Sequence, residues 1–378
     1  MFQQKNAYPV ILVPGVVSYS GKVKKIIESM GLEVYTPSFG LTSGIWDRAC
    51  ELYAQIMGGT VDYGAAHAEQ YGTARYGKTY EGFVTDWSNK NKVTLIAHGA
   101  GAPVARLLVY LLTYGSVKEQ AAGGDISPLF KGGNETAVHA VVSLAGINEG
   151  TTLFQAIEST VPGITKKALG FAFLADTLTG GDGIKKYGNS AISDVVVDQY
   201  LNTKQDNLLW DLSTEGMAKW NKMMKINPDC YYFAYTGEVT KNIYDLLPKK
   251  AKKHGNPLTA KRQATVAKDI SIPTLAAGVL APTAALMGTY HNYLNTAPLA
   301  TNEMHANDGC VNTNFSLAPN TESYAKYLDA ASCVPGTWYQ MPLEQKNHFA
   351  FLGLMQRPDT YRNYIYDMVK TICNLETV

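Results

Sequence analysis

The chain has 378 residues and is 46% hydrophobic, enough for one large α/β domain with a substantial core or for two smaller ones. Its 33 basic and 32 acidic residues leave a net charge of +1 and form no long block of one sign, which argues against electrostatic binding of nucleic acid. Five cysteines (Cys50, Cys230, Cys310, Cys333 and Cys373) contain no C-x-x-C pair, which argues against a zinc ribbon or a thioredoxin motif. The odd count requires a free thiol or an intermolecular bond, and Cys310 with Cys333 is one pairing the sequence allows. The first residues lack the basic, apolar and small-residue order of a signal peptide. The expectation is a secreted protein in its mature form with an added Met; an intracellular protein is the alternative.

Taken in order, Tyr8-Pro9-Val10-Ile11-Leu12-Val13 predicts a buried strand ended by Pro14-Gly15. Lys22–Ser29 reads as a helix and Glu33–Pro37 as a short strand. Ile45–Met57 is helical by period, because Ile45, Ala49, Leu52 and Ile56 share a face. Gly58–Gly82 is rich in Gly, Tyr and Ala without clear period, and predicts an elaborate loop. Val93–Ile96 is a buried strand, Ala97–Gly101 a small-residue turn, and Pro103, Val104, Leu107 and Leu108 open a helix. Val138–Leu144 predicts another buried strand.

From about 151 to 229 the chain reads as a helical insertion, with Pro162–Leu174 and Val195–Leu201 as apolar stretches. Such helices form either a cap over a site or ordinary crossover packing. Tyr231–Tyr235 is a strand, and the basic run Lys249–Lys261 a solvated loop or an anionic-surface contact. Ile272–Met287 is the most apolar run, but Pro273 and Pro282 interrupt it and it is too short to span a bilayer. It predicts a buried segment beside a lipid-type pocket. Pro335–Pro342 holds the last strand, and Tyr361–Cys373 a terminal helix. Alternating strands and helices without internal repeat predict an α/β fold with a mostly parallel central sheet flanked by helices.

The strand–turn–helix at Ala97-His98-Gly99-Ala100-Gly101 has the context of the nucleophile elbow G-x-S-x-G of α/β-hydrolases, with Gly99 where the serine belongs. A plain βα turn fits the same five residues. A dinucleotide-binding turn does not, because Val104 stands where its third small residue is needed. In the hydrolase order of nucleophile, acid and histidine, Asp308 in Asn307-Asp308-Gly309 and His348 after the last strand follow Gly99. Two backbone amides, Val16 after the first strand and Ala100 after the nucleophile position, are the oxyanion-hole candidates.

The sequence then resembles one family closely. Trp46-Asp47-Arg48-Ala49-Cys50-Glu51, Gly58–His67, Ala74–Tyr80, Gly150-Thr151-Thr152, Asp308-Gly309, Val311-Asn312-Thr313 and His348 match the lipases of thermophilic bacilli and staphylococci. The likeness covers nearly the whole chain, and implies a single α/β-hydrolase domain spanning 1–378 with a cap or lid inserted at about 151–229. It implies a carboxylesterase or lipase acting on lipid or other esters, in transient contact with a lipid interface and with no membrane-spanning segment. By resemblance Gly99, Asp308 and His348 occupy the triad positions, and Val16 and Ala100 the oxyanion hole.

The family's structural zinc site, two Asp and two His, is matched by Asp47, His67 and Asp211, with Thr73 in the fourth position. Its calcium site is not matched, since Ala350 and Met355-Gln356 replace the oxygen ligands.

Glycine has no atom to attack a carbonyl, so the chain as written is expected to be inactive. Ser18 and Thr151 are the neighbouring hydroxyls that could substitute. Two readings follow. One is an esterase whose serine was replaced by Gly99. The other is a natural non-catalytic relative that binds lipid or a protein partner.

Overall fold

Four strands carry unbroken apolar or small-residue runs, and each is buried along its whole length. They are β1 (Val10–Val13), β5 (Val93–His98), β6 (Val138–Leu144) and β7 (Tyr231–Tyr235). A computed structural model describes residues 4–40, 43–160, 206–242, 270–290, 305–354 and 356–377. Within it these strands join β2 (Val34–Tyr35), β10 (Tyr324–Lys326) and β11 (Trp338–Gln340) in a seven-stranded sheet. The order is β10-β11-β7-β6-β5-β1-β2, and every pairing is parallel. A parallel sheet needs both faces covered, which is why its strands are continuously apolar and do not alternate.

The two faces separate by residue parity. Ile11, Val13, Leu95 and Ala97 face one core, with Ala49, Leu52 and Ile56 of α2 (Ile45–Met57) and Leu107 and Leu108 of α4 (Gly101–Tyr114). Val10, Leu12, Ile96 and Val142 face the other, with Val23 and Ile27 of α1 (Gly21–Glu28) and Ile365, Val369 and Ile372 of α10 (Pro358–Cys373). Successive side chains of a strand point to opposite faces, so each of these strands feeds both cores. Helix α4 is buried on nearly all sides; only Tyr110 and Tyr114 escape.

Three expectations change. Gly58–Gly82 is not a loop. It holds β3 (Gly59–Asp62), α3 (Ala65–Tyr71) and β4 (Tyr76–Tyr80), with β3 and β4 an antiparallel ribbon. Most of their residues are solvent-exposed or half-buried, so no hydrophobic period marks them, and the ribbon is secured by an Arg75–Asp62 ion pair. The run Ile272–Met287 is only partly buried. It forms β9 (Ser271–Pro273), paired with β8 (Thr240–Asn242), a 3-10 stretch Leu275–Leu280 and α9 (Ala281–Thr289). Ala277, Leu280, Ala284 and Met287 pack inward, while Leu275 and Val279 are exposed. Finally, Cys310 and Cys333 are both free.

Of the insertion, α6 (Leu153–Thr160), α7 (Leu208–Asp211) and α8 (Thr214–Met223) are helices. Pro162–Leu174, Val195–Leu201 and the basic run Lys249–Lys261 lie outside the described residues. A short helix, α5 (Val117–Ala122), follows α4. Among the described residues no helix is long and apolar enough to cross a membrane.

Because Leu107 is fully buried between α4 and the sheet, Leu107→Ala should cost about 2–5 kcal/mol of unfolding free energy. Urea denaturation measures it, and a cost below ~1 kcal/mol would contradict this packing.

Candidate active site

Strands β1, β5 and β6 run parallel, so their C-terminal ends lie together at one edge of the sheet. The turn from β5 into α4 sits there. Its sharpness is carried by Gly99, whose φ of 54° is in the left-handed region that side chains disfavour. Three backbone hydrogen bonds hold the turn: Gly99 N–H to the Leu144 carbonyl at 3.1 Å, Ala102 N–H to the Gly99 carbonyl at 3.2 Å, and Ile147 N–H to the Gly99 carbonyl at 3.1 Å.

Asp308 and His348 meet beside this turn. Nδ1 of His348 and Oδ2 of Asp308 are 2.9 Å apart, and both residues are buried. Asp308 is held by its own loop: Oδ1 accepts from the amides of Cys310 (2.9 Å) and Val311 (2.7 Å). His348 opens a 3-10 turn capped by Asn347, whose Oδ1 accepts from Phe349 N–H and Ala350 N–H and whose Nδ2 donates to the Ala276 carbonyl. The Nδ1 bond to a carboxylate leaves Nε2 as the working nitrogen.

That nitrogen points at the turn. A Cβ on Gly99 would lie 2.9 Å from Nε2 of His348 and 3.2 Å from its Cε1. The imidazole therefore occupies the space that a side chain at position 99 would need.

A second imidazole lies beneath the first. His98 and His348 have ring centroids 4.3 Å apart, and Nε2 of His98 is 2.9 Å from the His348 carbonyl oxygen. Complete burial drives the pKa of His98 far down, and the neighbouring His348 lowers it further. A neutral ring has one N–H, and the carbonyl contact places it on Nε2. His98 thus braces the backbone of His348 without adding charge.

Val16 and Ala100 both line a cavity of about 40 Å³ with His98, Thr151, Cys310 and His348. The two amide-bearing loops touch: a Cβ on Gly15 would lie 2.7 Å from the His98 carbonyl oxygen and 3.1 Å from the Ala100 nitrogen. The substitute hydroxyls fare less well. Thr151 Oγ1 donates to the Cys310 carbonyl at 2.7 Å and accepts from Leu153 N–H at 3.1 Å, while Ser18 is exposed on its loop. Burial pushes the Cys310 thiol well above its ordinary pKa, so this lining residue stays protonated.

The residues proposed for metal lie elsewhere, at α2 and α3, and the structure alters their membership. Nε2 of His67 is 3.4 Å from Oδ1 of Asp47 and 3.3 Å from Oδ2 of Asp206. Asp211 stands outside that group of three, and its Oδ2 accepts from Ile45 N–H at 2.7 Å and Oδ1 from Trp220 Nε1–H at 2.7 Å. Burial pushes the Asp211 carboxyl up to about 7, against the pull of those two bonds. Thr73 is exposed. Asp206 carried no sequence motif and became visible only through the fold.

Burial alone would lower the pKa of His67, but hydrogen bonding and charge from Asp206 and Asp47 outweigh it and raise the value to about 9. Trp46 stacks on the ring at 5.3 Å, nearly parallel.

The family model described as "Lipase-like, C-terminal domain" matches residues 14–254. The chain is 34% identical over 276 residues to "Lipase" of Staphylococcus hyicus, covering 64% of this chain and 43% of that one. It is 30% identical over 387 residues to "Lipase 2" of Staphylococcus aureus, covering 93% of this chain and 51% of that one. The chain therefore spans about half the length of these relatives.

Among solved structures, EstA from Clostridium botulinum superposes with a TM-score of 0.77 at 29% identity, covering 100% of this chain and 90% of that one. The crystal structure of Staphylococcus hyicus lipase gives a TM-score of 0.72 at 28% identity, covering 98% and 97%.

Since a Cβ at position 99 meets both a left-handed φ and the His348 ring, Gly99→Ala should destabilise by about 1–3 kcal/mol. In a His348→Ala background the same change should cost less, because only the backbone term remains. Equal costs in urea titrations of the two backgrounds would mean that the ring and position 99 do not meet.

Proposed function

The chain belongs to the lipase family, and from that premise we propose that its site is that of a carboxylic ester hydrolase for lipid esters, with Gly99 in place of the nucleophile. The carrying observation is the Asp308–His348 pair, whose free Nε2 faces position 99. A lone aspartate–histidine contact has many structural uses. One aimed at a strained strand–helix turn beside two loop amides has the arrangement of an acyl-transfer site.

With serine at position 99, its Oγ would attack the ester carbonyl while Nε2 of His348 takes the proton. Asp308, on Nδ1, would keep the imidazole in the right tautomer and stabilise the imidazolium. The tetrahedral oxyanion would lie against the amides of Val16 and Ala100, where backbone dipoles need no reorganisation. Collapse expels the alcohol, protonated by His348. Water, deprotonated by the same nitrogen, then releases the acid.

As written, the chain lacks the first of these atoms, and Gly99 offers no group to attack the ester carbonyl. We read Gly99 as a replaced serine because Asp308 and His348 keep a hydrogen bond whose use is to activate that group.

Asp47, His67 and Asp206 form the zinc site we propose, with Asp211 behind it. In tetrahedral coordination with bonds of ~2.0–2.1 Å, neighbouring ligand atoms lie roughly 3.3 Å apart, the spacing found around Nε2 of His67. Imidazole and carboxylate suit zinc. A bound zinc would tie α2 and α3 to the segment that leads into α7. Without it, the imidazolium supplies the positive charge between two carboxylates.

Hydrolysis of p-nitrophenyl esters of several chain lengths tests the first proposal. Removing a hydrolase's serine costs on the order of 10⁶ in kcat, so Gly99→Ser should gain at least ~10³-fold over a silent parent even with some crowding at His348. Adding His348→Ala should abolish that gain. If Gly99→Ser stays silent on every ester, the assignment fails.

For zinc, a free concentration 100 times Kd should add about 2.7 kcal/mol of stability, read as a rise in Tm, and Asp206→Ala should remove the rise. A rise that survives Asp206→Ala but not Asp211→Asn would return the ligand role to Asp211.

A further inference from the structure

Arg48 lies in the Trp46–Glu51 run, next to Asp47 on α2. It is 1% exposed, among the largest fully buried side chains of the chain. Burying a guanidinium is costly unless its donors are satisfied. Here they are spread over backbone carbonyls: Nε donates to Ser43 at 2.9 Å, Nη2 to Gly40 at 3.0 Å and Nη1 to Gly15 at 3.0 Å.

The Gly15 bond is the informative one. The Gly15 carbonyl belongs to the same peptide unit as the Val16 N–H. That unit is planar and trans, so its C=O and N–H point in opposite directions. Drawing the carbonyl toward α2 turns the Val16 N–H the other way. Val16 lines the cavity with Ala100 and His348. Gly15 lies so close to the elbow that an added Cβ would meet the His98 carbonyl oxygen at 2.7 Å, so the orientation of this peptide plane bears directly on the site. A charge-assisted bond to the carbonyl also polarises the unit and strengthens its N–H as a donor.

We propose that Arg48 is a positioning residue for the oxyanion hole, holding the Gly15–Val16 peptide so that the Val16 amide faces the reacting carbonyl. This rests on the acyl-transfer reading above. Burial pulls the guanidinium down to about 10, with Glu51 and Asp211 opposing, so it stays charged at neutral pH. Lysine retains the charge but cannot reach several carbonyls at once.

The test uses the Gly99→Ser protein. Losing one oxyanion donor costs a serine hydrolase on the order of 10²-fold in kcat, so Arg48→Met should lower kcat by about that factor. KM should stay within about threefold, since ground-state binding does not use the hole. Arg48→Lys should fall between, and inhibition by an alkyl boronic acid, whose serine adduct places an oxygen in the hole, should weaken in parallel with kcat.

Should the Arg48 variants not fold, ¹⁵N-valine spectra of the Gly99→Ser protein with Arg48 intact take their place. The Val16 amide proton should move downfield on boronate binding, and an unmoved signal overturns the proposal. Arg48 variants with full kcat, or with KM alone changed, overturn this inference and leave the hydrolase reading standing. A Gly99→Ser protein silent toward esters and boronate overturns both.

Discussion

Burial of a parallel sheet on both faces is the constraint on which the rest depends. Hydrogen-bonded parallel strands end at a common edge, and the covering helices close off the faces. Chemistry is therefore confined to loops at that edge. The Pro14–Val16 loop, the Gly99 turn, the Asp308 loop and the His348 turn follow different elements and meet there because β1, β5, β6 and β7 point the same way. Alternation of side chains to opposite faces locks the register of each strand, since a one-residue slip would exchange the two cores.

Around that edge, backbone positions matter as much as side chains. The only non-glycine residue with positive φ among the described residues is Ala145, which follows β6. Gly99 takes a similar conformation at the end of β5 without the steric penalty. With no side chain there, the His348 ring sits where one would go, beside the cavity that Val16 and Ala100 line. The imidazole itself is held at several points: Asp308 on Nδ1, His98 on its carbonyl, Asn347 at the turn it opens. An imidazole held at that many points is fixed in orientation, with Nε2 facing position 99.

Electrostatics divides the buried carboxylates by their partners. Asp308 accepts two amides and faces one imidazole. Asp47, Asp206 and Asp211 crowd together, and the mutual repulsion adds to burial in raising Asp47 and Asp211. Such a cluster needs a cation, and His67 as imidazolium or a bound metal can provide it. The site at the sheet edge needs no added charge. The two clusters share no residue, although α2 serves both: Asp47 points to the cluster, and the next residue, Arg48, reaches the Gly15 loop.

What the sequence determined by itself was local. Runs of β-branched and apolar residues placed β1, β5, β6 and β7, and helical period placed α2 residue for residue. Small residues flanked by a strand and a helix marked the elbow. These signals lie within a few residues of one another, where hydrogen bonding and side-chain periodicity act directly. Asp308 and His348 were read from chain order and resemblance, and only the fold brings them to 2.9 Å of each other. The exposed ribbon of β3 and β4 had no such signal, because its order comes from the partner strand and an ion pair and not from a buried face.

Tertiary structure alone decided which acid joins His67, since Asp206 and Asp211 are close in the chain and differ only in what folds against them. It also decided that the buried guanidinium of Arg48 grips the loop after β1. Both are contacts between segments far apart in the chain, and a one-dimensional pattern records what each residue prefers but not which distant backbone will satisfy it.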